Sequence, residues 1–144
     1  MGFIIAIISG ALMSIQGVFN TGVKNQTSIW VASSFVQLTA LLVCIIAWVV
    51  TGREGTFGSL FKIEDKYMLL GGAIGAFITY TVIQSVGSLG PAKAIMLIVT
   101  SQLVTAYVIE LFGIFGEEKV PFQWRKVLGL GFIIAGILTF KWKD

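Results

Sequence analysis

Long runs of apolar residues, separated by short polar segments, make up most of the chain. A helix needs about 20 mostly apolar residues to cross the hydrocarbon layer of a bilayer. Five runs come close to that length and predict five transmembrane helices. Their approximate bounds are residues 3–22, 30–51, 67–86, 92–115 and 122–140.

The polar breaks between these runs support the same division. Residues 52–66 form the longest predicted loop, and Pro91 and Pro121 are each predicted to open a helix, because proline suits the first helical turn. The first basic residue, Lys24, follows the first run, so we expect a retained helix and not a cleaved signal peptide. Indole rings favour the headgroup boundary. The tryptophans all lie near predicted span ends: Trp30, Trp48, Trp124 and Trp142.

Composition agrees with a membrane protein. Of the 144 residues 56% are hydrophobic and only 12% are charged, where soluble domains have about 25% charged residues. A small soluble domain leaves much of its surface wet and could not hide this much apolar surface. We therefore expect an all-α polytopic membrane protein that forms a single domain over residues 1–144, with the lipid bilayer as its surroundings.

The sequence lacks the residues of a metal or redox site. It contains no histidine, and Cys44 is its single cysteine, so neither a disulfide within the chain nor a thiolate metal site can form. Nothing pairs a nucleophile with a base. The net charge of +3 is not gathered into a block that would indicate nucleic-acid binding. We expect no enzymatic activity, no metal, no cofactor and no nucleic-acid partner.

The basic residues indicate the orientation only weakly. With five spans, one side holds six of them and the other holds four, which slightly favours a cytoplasmic N-terminus. A difference of 6 − 4 = 2 leaves two alternatives open, insertion in one orientation and insertion in both. The two sets are Arg53, Lys62, Lys66, Lys119, Arg125 and Lys126, and Lys24, Lys93, Lys141 and Lys143.

Polar residues within the first two spans need partners or water. Gln16 and Asn20 are four residues apart and therefore share one helix face. They either hydrogen-bond across a helix interface or line a polar cavity. Gln37, in an otherwise apolar span, is predicted to make a cross-helix hydrogen bond and is a weaker candidate for the binding site. Several glycines are predicted to let helices pack closely: Gly10, Gly17, Gly71, Gly75, Gly129, Gly131 and Gly136.

Glu110 is the only acidic residue inside a predicted span. Gln102, Ala106 and Glu110 follow one another at a spacing of four, and Tyr107 precedes Glu110 by three. A span that ends near residue 115 places Glu110 roughly 7–8 Å from the helix end. Lost hydration there favours the protonated carboxyl group, which can exchange its proton for a cation and couple transport to protons. Two structural alternatives stay open, a carboxylate that reaches the headgroups and one paired with a lysine.

Several segments of the chain together match the pattern of a known family: residues 15–20, 34–36, 71–77, 89–113 and 125–129, together with Gly136. These segments resemble the YdcZ-type branch of the drug/metabolite transporter superfamily. They span nearly the whole chain and match its five-span layout. The chain departs from that branch at Ser101, where glycine is usual, and at Glu110, where aspartate is usual.

The resemblance implies a small-molecule exporter of the bacterial inner membrane. It also implies that two chains, identical or closely related, pair antiparallel into a ten-helix inverted-repeat bundle that works by alternating access. We expect the site between the halves to bind an unidentified small-molecule substrate through Gln16, Asn20, Gln102 and Tyr107, with Glu110 as the proton-coupling residue. The alternatives are a small dual-topology ion channel, against which the lack of a positive charge at Thr79 counts, and a non-transporting assembly subunit.

Overall fold

The computed structural model describes residues 1–141, and within that range it contains five long helices and no strand. This confirms the all-α expectation. Trp142, whose position near a span end was part of the prediction, lies outside the described residues. The helices are α1 Gly2–Gln26, α2 Ile29–Val50, α3 Gly71–Leu89, α4 Pro91–Phe112 and α5 Trp124–Lys141, with short 3-10 turns at Phe57–Lys62, Lys66–Leu70 and Ile114–Gly116.

Within residues 1–141, four helical segments are long and apolar enough to cross a membrane. The fifth helix, α5, has 18 residues and carries Arg125, Lys126 and Lys141 among them, so it is more highly charged than the other four. A fifth crossing therefore stays a prediction. The four segments are Gly2–Gln26, Ile29–Val50, Lys66–Leu89 and Pro91–Phe112.

The end of α4 differs from the predicted one. The helix ends at Phe112, three residues before the predicted bound, because Gly113 adopts a left-handed conformation with φ 63° and ψ 40°. Its backbone N–H donates to the carbonyl oxygen of Ile109, as is common where a glycine ends a helix. Glu110 is therefore only two residues from the end of α4.

The two prolines behave differently. Pro91 is the first residue of α4, as predicted. Pro121 does not open α5, which begins at Trp124, so that prediction is wrong. Proline suits the first helical turn but equally suits extended and turn segments, and Pro121 belongs to the non-helical residues 117–123 that connect α4 to α5. Within that segment the backbone N–H of Val120 donates to the carbonyl oxygen of Glu110 over 2.9 Å, which ties the segment to the end of α4.

The chain forms two compact units, the first being Met1–Ser88 and the second beginning at Leu89. A single domain over residues 1–144 stays a prediction. In the first unit, α1 and α2 form a hairpin with only Thr27 and Ser28 between them, and the Ser28 hydroxyl accepts from the backbone N–H of Val31 and caps α2. In the second unit, α4 packs on α5.

Neutral contacts join the three helices of the first unit. The Gln37 side-chain amide donates to the Thr79 hydroxyl over 3.3 Å, which confirms the predicted cross-helix hydrogen bond. The rings of Trp30 and Tyr80 stack with centroids 4.9 Å apart. A side chain at Gly17 would meet Val82 and Val86 at 3.5 Å, so the close approach predicted for Gly17 is present. The buried residues of these helices are Gly17, Asn20, Ala32, Ser33, Ile83 and Val86.

Most of the other glycines do not pack within the chain. Gly75 lies 4.0 Å from the Gln37 amide nitrogen, measured from an added Cβ, whereas an added Cβ at the remaining predicted positions meets nothing within 4 Å. For those positions the predicted close packing is not found among the described residues. They are Gly10, Gly71, Gly129, Gly131 and Gly136.

Candidate functional site

A cavity of about 330 Å³ lies between α4 and α5 in the second unit. Its lining residues recur at intervals of three and four along both helices, which places each set on a single helix face. Most of these side chains are apolar, and the polar ones are Tyr107, Glu110 and Lys126. The lining residues are Leu103, Ala106, Tyr107, Glu110, Lys126, Gly129, Leu130 and Ile133.

An ion pair joins the two helices at this cavity. The Lys126 ammonium donates to Oε2 of Glu110 over 2.8 Å. The lysine and glutamate side chains are 38% and 46% exposed, respectively. Of the two structural alternatives for Glu110, pairing with a lysine is the one observed.

Glu110 is shallower than the sequence predicted. Because α4 ends at Phe112, the carboxylate-bearing residue lies roughly 3 Å from the helix end along the axis, and not the 7–8 Å that a longer helix would give. The carboxylate nevertheless lines the cavity and does not point away from it.

Tyr107 offers its ring to the same ammonium group. The Lys126 Nζ atom lies 5.2 Å from the centre of the Tyr107 ring, within the range of a cation–π interaction. The phenolic oxygen accepts from the backbone N–H of Gln123 over 3.1 Å. The hydroxyl therefore anchors the start of the fifth helix, while the ring contributes to the cavity.

The connection between α4 and α5 sets this geometry. Gly113 ends α4, and the bond from Val120 to the Glu110 carbonyl returns the chain to the end of that helix. The first turn of α5 thus lies beside the last turn of α4. Lys126 in the former can reach Glu110 in the latter.

The other predicted site residues lie elsewhere. Gln102 is exposed and is not among the residues that line the α4–α5 cavity. Gln16 and Asn20 line a shallow groove of about 520 Å³ on one face of α1, in the first unit. Asn20 is only 8% exposed, whereas Gln16 is exposed. The prediction that these two amides share a helix face is confirmed.

Lys126 is the residue of the candidate site that the sequence did not predict. The pattern identified it only as a basic residue near the start of a span. A short connection between two helices brings the end of one beside the start of the next. In this chain an acidic residue lies near the end of α4, and two basic residues lie at the start of α5. That juxtaposition was the available signal, although it does not choose between Arg125 and Lys126.

Comparison with known proteins places the whole arrangement in one family. Residues 1–139 match the model of the family described as "Putative inner membrane exporter, YdcZ". The matched region includes both helices of the cavity and the Glu110–Lys126 pair. The chain matches no curated protein and no solved structure.

Proposed function

Because the chain belongs to the YdcZ family of inner-membrane exporters, we propose that it is a proton-coupled exporter of small molecules. The chain is a multi-pass inner-membrane protein, four of its described helical segments are long and apolar enough to span the membrane, and its family indicates transport as its role. In our proposal, α5 is a fifth span whose Arg125 and Lys126 reach the headgroups at its start.

The Glu110–Lys126 ion pair beside the cavity is the observation that supports coupling. The pair joins α4 to α5 and contributes a carboxylate to the cavity wall. Protonation of Glu110 would remove its negative charge and release the lysine, which weakens one contact between the helices. Loss of the proton would restore both the charge and the contact. The charge of the cavity and the contact between its two walls would therefore change together.

Exposed amides support a second copy of the chain. Gln16 and Gln102 are exposed on apolar helices, where a polar side chain facing hydrocarbon is costly unless it finds a partner or water. An antiparallel partner, either a second copy or a sister chain, would cover them and bring them near a shared substrate pathway. Gln16, Asn20, Gln102 and Tyr107 would then contact the substrate during alternating access.

Proton flux in proteoliposomes tests the proposal without a known substrate. Vesicles with an imposed pH gradient receive a defined mixture of amino acids, sugars and small amines, and an internal pH dye reports proton movement. We expect the mixture to accelerate proton flux in the wild type. Glu110→Gln should reduce that flux about tenfold or more, since one coupling group acts in every cycle, whereas Glu110→Asp should keep part of it.

A matched control removes an acid from the connecting segment. Glu118→Gln deletes the same charge outside the cavity and should leave the flux unchanged. Equal flux in Glu110→Gln and the wild type would remove the coupling role. Fast flux of small ions without proton dependence would indicate a channel, and no flux with any compound would indicate an assembly subunit. Either result would overturn the exporter proposal.

A further inference from the structure

The Lys126 ammonium group occupies a site with the features of an organic-cation site. A carboxylate oxygen lies 2.8 Å from it and an aromatic ring centre 5.2 Å from it. Proteins commonly bind ligand ammonium groups with this combination, a carboxylate that neutralises the charge and a ring face that attracts it. Apolar walls continue from this point along both helices.

We propose that Glu110 and the Tyr107 ring form an ammonium-binding subsite, which Lys126 fills when no substrate is bound. The transported substrate is then a small lipophilic amine whose own ammonium group displaces that of Lys126. The inference rests on the exporter function proposed above and names the substrate class of that site. The amine would pair with Glu110 and lie against the Tyr107 ring. Its apolar body would contact Leu103 and Ile133.

The same geometry disfavours an anionic substrate. An anion would have to take Lys126 from Glu110, and it would then face both the freed carboxylate and the electron-rich face of the Tyr107 ring. A cationic substrate is favoured, because the Glu110 carboxylate and the Tyr107 ring that hold the Lys126 ammonium also attract the ammonium group of the substrate. Without Lys126 in place, the wall of the cavity carries one negative charge.

Two features make the exchange feasible. Both side chains of the pair are partly exposed, and in our proposal the start of α5 reaches the hydrated headgroups, where water screens ion pairs and weakens them. Gly129 leaves open space on the α5 wall, since an added Cβ there meets nothing within 4 Å. An aromatic or branched body can therefore enter beside the lysine before its ammonium group leaves.

Equilibrium binding to the purified protein in detergent micelles tests the subsite. The probes are 2-phenylethylammonium and its neutral analogue 2-phenylethanol, measured by isothermal titration calorimetry. We expect Lys126→Met to bind the ammonium probe about threefold or more tightly than the wild type, because the competing internal cation is gone. Affinity for the alcohol should not change, and the double variant Glu110→Gln, Lys126→Met should lose the gain.

Arg125→Met is the matched control. It removes one positive charge from the adjacent position of the same helix, so a general change of surface charge would affect both variants alike. Lys126→Arg should keep the pair and show no gain. If Lys126→Met misfolds, Lys126→Gln takes its place.

Three results would overturn the inference. They are no gain in Lys126→Met, an equal gain in Arg125→Met, and wild-type binding of 3-phenylpropionate that Lys126→Met abolishes. Failure of the exporter proposal is separable, because binding needs no coupling. If Lys126→Met gains affinity for the ammonium probe but the wild type shows no coupled proton flux, the subsite is supported and the exporter proposal fails. If the wild type shows coupled flux but Lys126→Met gains no affinity, the exporter proposal is supported and the subsite fails.

Discussion

The two compact units use different chemistry to hold their helices together. In the first, three contacts between helices are neutral: Gln37 bonds to Thr79, Trp30 stacks on Tyr80, and Gly17 approaches the α3 valines. In the second, an ion pair joins α4 to α5 beside an open cavity. Both units belong to one apolar chain, so the difference lies in which few polar residues each one places between its helices.

The neutral contacts of the first unit do not change with pH or with bound cations, whereas the ion pair of the second unit can change with both. Neutral hydrogen bonds and stacked rings keep the same charge across the physiological pH range. A carboxylate–ammonium pair can be broken by a proton or by another cation, and the adjacent cavity offers space for the groups that move. We therefore expect substitutions at these neutral contacts to act on stability and substitutions around the cavity to act on transport.

The largest stability effect is expected at Gly17. Gly17→Leu would force a side chain into Val82 and Val86, since even a Cβ already reaches them at 3.5 Å. Overpacking of this kind costs about 1–3 kcal/mol. Gly17→Ala is the matched control and should be nearly neutral, because 3.5 Å is an ordinary contact distance. Thermal unfolding in detergent measures both, and an equal loss in the two variants would contradict the packing explanation.

A glycine-to-leucine substitution in the cavity wall, at Gly129, should lower transport and leave stability nearly unchanged. Gly129→Leu places its side chain in open space and should change thermal stability little. It would fill the cavity that Glu110 and Lys126 line, so we expect substrate-driven proton flux to fall about tenfold, the equivalent of roughly 1.4 kcal/mol of binding or barrier free energy. Gly131→Leu, on the same helix but not among the lining residues, is the control. Equal losses in the two variants would show that the cavity is not the transport path.

Much of the helical architecture could be predicted, because a run of about 20 apolar residues has few alternatives to a membrane-crossing helix. The helix ends were harder. Gly113 ends α4 through its left-handed conformation, yet many glycines of this chain lie inside helices, so the residue type alone does not mark the end. Pro121 was predicted to open α5, which begins only at Trp124, because proline is compatible with the first helical turn and equally with an extended segment before it.

Of the two helices that form the cavity, only α4 has site residues that could be predicted from the sequence. Glu110 and Tyr107 stand out in the α4 sequence, because an acid and a phenol are unusual in an apolar span. Their partner Lys126 depends on the path of the connecting segment, which periodicity along a single helix does not contain. Gln102 lies eight residues, or two steps of four, before Glu110 but is not among the residues that line the cavity, whereas its neighbour Leu103 is.

The smallest effect is expected at the hydrogen bond between α2 and α3. Gln37→Leu removes the donor to Thr79, but the Thr79 hydroxyl keeps its bond to the Gly75 carbonyl over 3.0 Å. No hydroxyl is left unpaired, and cross-helix hydrogen bonds in membranes average about 0.6 kcal/mol, so we expect a loss of roughly that size with unchanged proton flux. Thr79→Val and the double variant complete a thermodynamic cycle that isolates the pair. A coupling free energy well above 1 kcal/mol, or a loss of flux at native-like stability, would place Gln37 in the transport machinery and end the distinction between the neutral contacts of the first unit and the cavity of the second.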